Sequence, residues 1–361
     1  MPIQSTAGSL SIDGFKSNTL QIGTALYKQI QTIVHGRQGN LSFSKDGLFL
    51  GIGLAVSSSS NGGSGLIYKW NGTAFSLIKT FFSSTIAGYG NCFAFNSDAT
   101  IMAMQTQASN KSPAVSAKVG FFTRTAGTNT FSLQQEVTLP STSSTNPTPI
   151  TSMQLSDNGD YIIINCKRSS PFGGFENGYI YGLTGTNTWS LQVQRTGVET
   201  GVAITSAGDI AVFGSDDIYT RSGSTWSVFG PTPTSGIIGE SNPIEISGNG
   251  EYILSGNDVY YPVSNWSSSS VLPGFSGGSR RIMSKDSEYI LEPTVFKEMN
   301  KRSGNNWNFY ANINPIPNQV LGFGSEYIQS AAIDGTGKYI ALNNNLTNSV
   351  GQFTNYIFEK V

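Results

Sequence analysis

The stretch LSFSKDGLFLGIG, Leu41 to Gly53, decides the fold. Its apolar residues alternate or run continuously on either side of Lys45-Asp46-Gly47, and Asp-Gly between two apolar runs is a strong short-range hairpin signal. Working outward, a loop SSSSNGGSG follows, then LIYKW (Leu66–Trp70) and AFSLIKTF (Ala74–Phe81) around Asn71-Gly72. Four strands with tight turns at Asp-Gly and Asn-Gly make one antiparallel unit of the size that repeats in propellers.

The unit recurs. SMQLSDNGDYIIIN (Ser152–Asn165) is followed by GYIYGL and TWSLQVQ, and weaker copies are AITSAGDIAVFG, EISGNGEYILSG, IMSKDSEYILEP and AAIDGTGKYIALN. FAFNSDATIMAMQ (Phe93–Gln105) is a copy that has lost its glycine. Each unit opens its last strand with an aromatic: Phe75, Phe131, Trp189, Trp226, Trp266 and Trp307. The steps between these anchors bracket the period of about 40–50 residues expected of four-stranded blades.

The chain ends set the count. A seventh copy, Ala331–Asn343 followed by GQFTNYIFEK, stops before a fourth strand can form. At the other end GTALYKQIQTIV (Gly23–Val34) is similar to GTAFSLIKTF (Gly72–Phe81). The expectation is therefore an all-β, seven-bladed β-propeller of four-stranded antiparallel blades in one domain, residues 23–361. Residues 23–34 supply the strand that completes the last blade and closes the ring, hiding edges that would otherwise pair with other chains. A six-bladed ring would require discarding one of the seven copies. Residues 1–22 lie outside the ring, read either as a surface tail or as an arm that docks on a neighbouring subunit.

YTRSGSTWSVFG (Tyr219–Gly230) and IYKWNGTAFSL (Ile67–Leu77) resemble FG-GAP-like and WD-like propeller repeats. Repeats of that kind occur in bacterial surface proteins and in structural proteins of phages and large DNA viruses, so the resemblance implies the fold and suggests that setting. Fold alone does not assign an activity. The departures are specific. No D-x-D-x-D-G calcium loop is present, the Asp46-Gly47 turn lacks the tryptophan of a sialidase Asp box, and no GH…WD pair occurs.

Composition narrows the function classes. The 361 residues carry 21 Lys+Arg, 22 Asp+Glu and one His, so only 12% are charged and the net charge is −1. Phosphate contacts need a basic face, which excludes nucleic acid as a partner. The 42 Gly, with 49 Ser, 32 Thr and 29 Asn, suit short strands and turns and argue against helix bundles. No run of 18 apolar residues predicts membrane insertion, and the N-terminus lacks the basic start and apolar core of a signal peptide. Cys92 and Cys166 fit no metal or redox spacing and are expected as free buried thiols.

Catalytic chemistry has few candidates. The one histidine, His35, is expected in a loop after the closing strand, which leaves no partner for a Ser or Cys nucleophile in the usual dyads and no His-rich metal site. A glycosidase would need paired carboxylates, and Asp216, Asp217, Glu240, Asp258 and Glu292 are the candidates. Asp216-Asp217 opens a third strand, which favours a turn role. No catalytic residue, cofactor or metal is assigned.

Recognition is expected in the long connections between second and third strands, Val56–Ser64, Gln105–Lys118 and Lys167–Asn177, joined by Pro140–Pro149 on one face of three consecutive blades. Within them Lys111, Arg168, Phe172 and Phe175 are the residues able to make strong contacts. The leading expectation is a non-enzymatic virion protein, associated with capsid or tail, that serves in assembly, decoration or host attachment. Its partners would be other virion proteins, reached through residues 1–22, or a host-surface glycan or receptor. A bacterial surface or secreted lectin-like propeller is the alternative, and a glycosidase the third reading.

Overall fold

The computed structural model describes residues 27–35, 39–54, 62–86, 88–107, 116–140, 150–167, 176–197, 201–214, 217–231, 244–255, 258–261, 268–271, 281–293, 298–313, 328–344 and 353–361. Their regular structure is all strand. Strand β1 is Tyr27–His35. Blade 1 holds Gly39–Phe43, Phe49–Leu54, Gly63–Trp70 and Phe75–Ser83 (β2–β5), and blade 2 holds Phe93–Phe95, Ile101–Gln107, Lys118–Arg124 and Phe131–Thr138 (β6–β9). Blade 3 holds Ile150–Leu155, Tyr161–Lys167, Glu176–Gly185 and Thr188–Thr196 (β10–β13), and blade 4 holds Val202–Ile204, Ile210–Phe213, Asp217–Ser222 and Thr225–Pro231 (β14–β17). Ile244–Ile246, Ile253–Ser255, Asp258–Tyr261 and Ser268–Val271 (β18–β21) form blade 5, and Ile282–Met283, Tyr289–Glu292, Glu298–Ser303 and Asn306–Asn312 (β22–β25) form blade 6. Ile328–Ile333, Tyr339–Asn344 and Phe353–Lys360 (β26–β28) are three strands of blade 7, and β1 is its fourth, antiparallel to β28.

Seven four-stranded antiparallel sheets settle the count in favour of seven blades. The closure also locates the histidine. His35 is the last residue of β1, opposite Phe353, rather than a loop residue, and its Nε2 meets the side-chain amide of Asn355. Cys92 and Cys166 are both free and buried.

The turn between first and second strands is built the same way in every blade. Its first position is Ser44, Asn96, Ser156, Thr205, Ser247, Ser284 or Asp334, and the side-chain oxygen accepts the N–H of the residue five places on, as Ser44 does from Phe49 at 3.0 Å and Asn96 from Ile101 at 2.9 Å. Short polar side chains do this well because they reach their own turn backbone. The fourth position is left-handed throughout: Gly47, Ala99, Gly159, Gly208, Gly250, Ser287 and Gly337, with φ between 54° and 77°. The copy that lost its glycine therefore keeps the turn, with Ala99 at φ 54°.

These turns are joined to one another. Backbone hydrogen bonds run from Asp46 to Ser97, Ser97 to Asp157, Asp157 to Ser206, Ser206 to Gly248, Gly248 to Lys285, Asp286 to Gly335 and Gly335 to Lys45, at 2.7–3.1 Å, each N–H donating to the next blade's carbonyl. The last bond returns to the first blade, so the turn face carries a continuous inter-blade ring. Polar backbone that would otherwise be buried between blades is satisfied there.

Aromatic anchors fasten the outer ends. Phe75 packs on Tyr339 with ring centroids 5.6 Å apart, Phe131 on Phe49 at 6.5 Å, Trp226 on Tyr161 at 5.7 Å and Trp307 on Tyr252 at 5.0 Å. In each pair the partner stands at the start of the second strand of the preceding blade, Tyr252 immediately before β19. Blade 2 has Ile101 at that place, and Trp189 stacks instead on Phe121 at 4.2 Å. Three arginines reinforce the same faces: Arg124 over Phe49, Arg221 over Tyr161 and Arg302 over Tyr252, at 4.5, 4.2 and 5.2 Å. Trp266 lies outside the described residues. Three residues after the anchors, the outer strands bulge at Ile78, Gln134, Gln192, Phe229 and Tyr310, and β1 bulges at Ile30. Bulged outer strands are poor templates for edge pairing.

Candidate binding surfaces

Topology divides the ring into two unlike faces. The capped turns occupy one face, and the connections β3–β4, β7–β8 and β11–β12 reach the other on three consecutive blades. Lys111, Arg168, Phe172 and Phe175, the residues expected to make contacts there, lie outside the described residues, as do residues 1–22. Blade 1 meets the next connection closely. A Cβ on Gly53 would stand 2.0 Å from the Asn91 carbonyl oxygen, so the chain entering blade 2 is seated on bare backbone.

The carboxylates considered for hydrolysis are scattered. Asp216 and Glu240 lie outside the described residues. Asp217 opens β16, as expected, and its carboxylate pairs with Arg195 Nε at 3.0 Å. Asp258 opens β20 and Glu292 closes β23, where Glu292 stands opposite Glu298 on β24. Arg281 is 1% exposed and Glu292 is fully buried. Burial lowers the Arg281 pKa, opposed by Glu292 and then Asp258; burial raises that of Glu298, with Glu292 adding to the effect. Glu292 thus lies buried within range of the Arg281 charge and is not at the surface. Among the described residues no group of three or more His, Cys, Asp or Glu could hold a metal ion.

The second surface is the bore. First strands of all seven blades line a cavity of about 330 Å³, with Leu41, Phe43, Phe93, Phe95, Met153 and Ile333 on its wall. At the turn face two lysines cross it. Lys45 of blade 1 reaches Asp157 of blade 3 at 2.5 Å and Ser206 Oγ of blade 4 at 3.4 Å. Lys285 of blade 6 reaches across to blades 3 and 4, donating to Gln154 Oε1 at 3.1 Å and the Ile204 carbonyl at 2.8 Å, and also meets the carbonyl of Ile246 on the adjacent blade 5 at 3.4 Å. Gln154 in turn donates to Glu245 Oε2 at 2.9 Å. Burial raises the Glu245 pKa against the pull of Lys285, and burial lowers that of Lys285 against the pull of Glu245.

None of these bore residues was singled out from sequence. The available signal was a charge where the repeat is otherwise apolar or small: Glu245 between Ile244 and Ile246, and a lysine at the second turn position of two copies.

No family model and no curated protein matches the chain. Solved structures do. The β-propeller domain of Cps50 (Swd1) from Myceliophteria thermophila is similar with a TM-score of 0.57 at 11% identity, over 93% of this chain and 100% of that one. The C-terminal WD40 domain of Sif2 is similar with a TM-score of 0.50 at 10% identity, over 93% and 99%. At such identities the likeness is one of fold: the chain is a seven-bladed β-propeller whose structural neighbours include WD40 domains.

Proposed function

We propose that the chain is a non-enzymatic scaffold that binds macromolecular partners through the irregular loops opposite its capped turns. We place it in a virion, as a capsid- or tail-associated protein serving in assembly, decoration or host attachment. The observation that carries the scaffold reading is the closed series of seven inter-blade hydrogen bonds, Asp46 to Ser97 round to Gly335 and Lys45. It fixes one face of the ring and leaves the longer connections to the other, the usual division between a rigid frame and recognition loops. The viral setting draws its support from the repeat resemblance and from the sparsely charged, Ser/Thr/Asn-rich composition.

Quantitative mass spectrometry of purified particles tests the setting. The expected result is a fixed copy number relative to the major capsid or tail protein. Absence from particles, with binding of the free protein on a glycan array, would replace this reading with the lectin-like one.

A further inference from the structure

The bore is a well with a floor. Lys45 and Lys285 each cross from one side to another, and both are held by partners on blades 3 and 4. The turn end is therefore crossed by side chains, while Asn40, Thr151, Gly201 and Ser330 line the cavity toward the loop face, where the first strands begin. A concave site of about 330 Å³ with apolar walls and a few convergent polar groups has the usual form of a small-ligand pocket.

The hydrogen-bond inventory of the floor says what such a ligand must bring. An ammonium has three donors. Lys285 spends all three on Gln154, Ile204 and Ile246, and Lys45 spends two on Asp157 and Ser206. The carboxylates are less occupied. Among the described residues, Glu245 accepts only through Oε2, from Gln154, and Asp157 only through Oδ2, from Lys45. Among the described residues neither Glu245 Oε1 nor Asp157 Oδ1 meets a hydrogen-bond donor, and both residues line the cavity. Glu245 is half-buried on the first strand of blade 5, against the cavity. The floor has acceptors in excess of donors, under an apolar shaft.

We propose that the bore is a binding site for an alkylammonium group, with the ammonium donating to Glu245 Oε1 and Asp157 Oδ1 and the alkyl stem against Phe43, Phe95 and Met153. An alkyl carboxylate would meet two carboxylates with one lysine donor to spare, and a neutral alcohol would bring one donor for two acceptors. The group could be carried by a free amine or by a lysine side chain.

Isothermal titration of the full chain with hexylammonium, hexanoate and 1-hexanol tests this, with a Gly-Lys-Gly tripeptide as the arm that separates a free amine from a side chain. The expected result is one saturable site for hexylammonium or the tripeptide, weakened about tenfold or more in Glu245→Gln, since a hydrogen bond to a charged group is lost there. Glutamine keeps an acceptor for Gln154, and Asp157→Asn gives a second, independent loss. Both variants are checked by thermal melting, and the loss is read only in one that melts with the wild type. Hexanoate or hexanol binding as tightly as hexylammonium would overturn the proposal. So would unchanged affinity in the folded variants, or no saturable binding of hexylammonium and the tripeptide.

Discussion

The Tyr27 hydroxyl donates to the Gly337 carbonyl at 2.6 Å across 310 residues of chain. Gly337 is the left-handed residue of the blade 7 turn, and Tyr27 is that blade's outer-strand anchor, the counterpart of Phe75 or Trp307. The ring is closed by a residue from the start of the chain acting in the last blade.

Removing that anchor is expected to be costly. Tyr27 is 5% exposed, so Tyr27→Ala should lose about 3–5 kcal/mol, as large aromatic truncations in cores do. Tyr27→Phe keeps the packing and should lose about 1 kcal/mol for the hydrogen bond. Chemical denaturation measures both. A chain starting at residue 39 exposes the β28 edge and should run as higher oligomers in size-exclusion chromatography.

Two glycines with the same backbone should respond differently to alanine. Gly127 and Gly159 have φ of 78° and 77°, but a Cβ on Gly127 meets nothing within 4 Å, whereas on Gly159 it stands 2.5 Å from Ile101 Cδ1 of the preceding blade. Gly127→Ala should cost about 1 kcal/mol, the left-handed penalty alone. Gly159→Ala should cost about 1–3 kcal/mol more through overpacking, and Ile101→Val in the same chain should recover part of it. Equal losses at the two sites would show that blades 2 and 3 are not in this contact.

Asp334 makes stability depend on pH. It is the one carboxylate among the turn-capping residues, and burial raises its pKa to about 6, against hydrogen bonds from Tyr339, Lys338 and Thr336 that favour its charge. A carboxyl raised in the folded state contributes stability that is complete below the unfolded pKa and is lost as pH rises through the folded one. Asp334→Asn, the residue that blade 2 uses as Asn96, should therefore stabilise the protein by about 1–3 kcal/mol at pH 7.5, with the gain vanishing below about pH 4. Melting curves at the two pH values measure it, and a variant less stable at pH 7.5 would contradict the sign.

The fold was legible because each blade repeats local chemistry. Ser44-x-Asp46-Gly47 caps, turns and restarts a strand within six residues, and even Ala99 and Ser287 keep the frame. The closing strand, expected at 23–34, is Tyr27–His35, with 23–26 outside the described residues, and its anchor is displaced by one residue. The similarity of GTALY to GTAF sets Leu26 against Phe75, whereas the shared bulges at Ile30 and Ile78 set Tyr27 there. The bore was not legible. Lys45 and Lys285 look like solvated turn residues, and the pairing that distinguishes Lys45 lies 112 positions away, across a ring that exists only after closure.

Association with particles, measured when Lys111, Arg168, Phe172 and Phe175 are changed together to alanine, tests the central claim most directly. All four belong to the loops that the topology sets opposite the capped turns, so the ring should melt at the wild-type temperature while co-sedimentation with purified particles falls at least tenfold. A folded variant that co-sediments like the wild type would contradict the claim that these loops carry recognition.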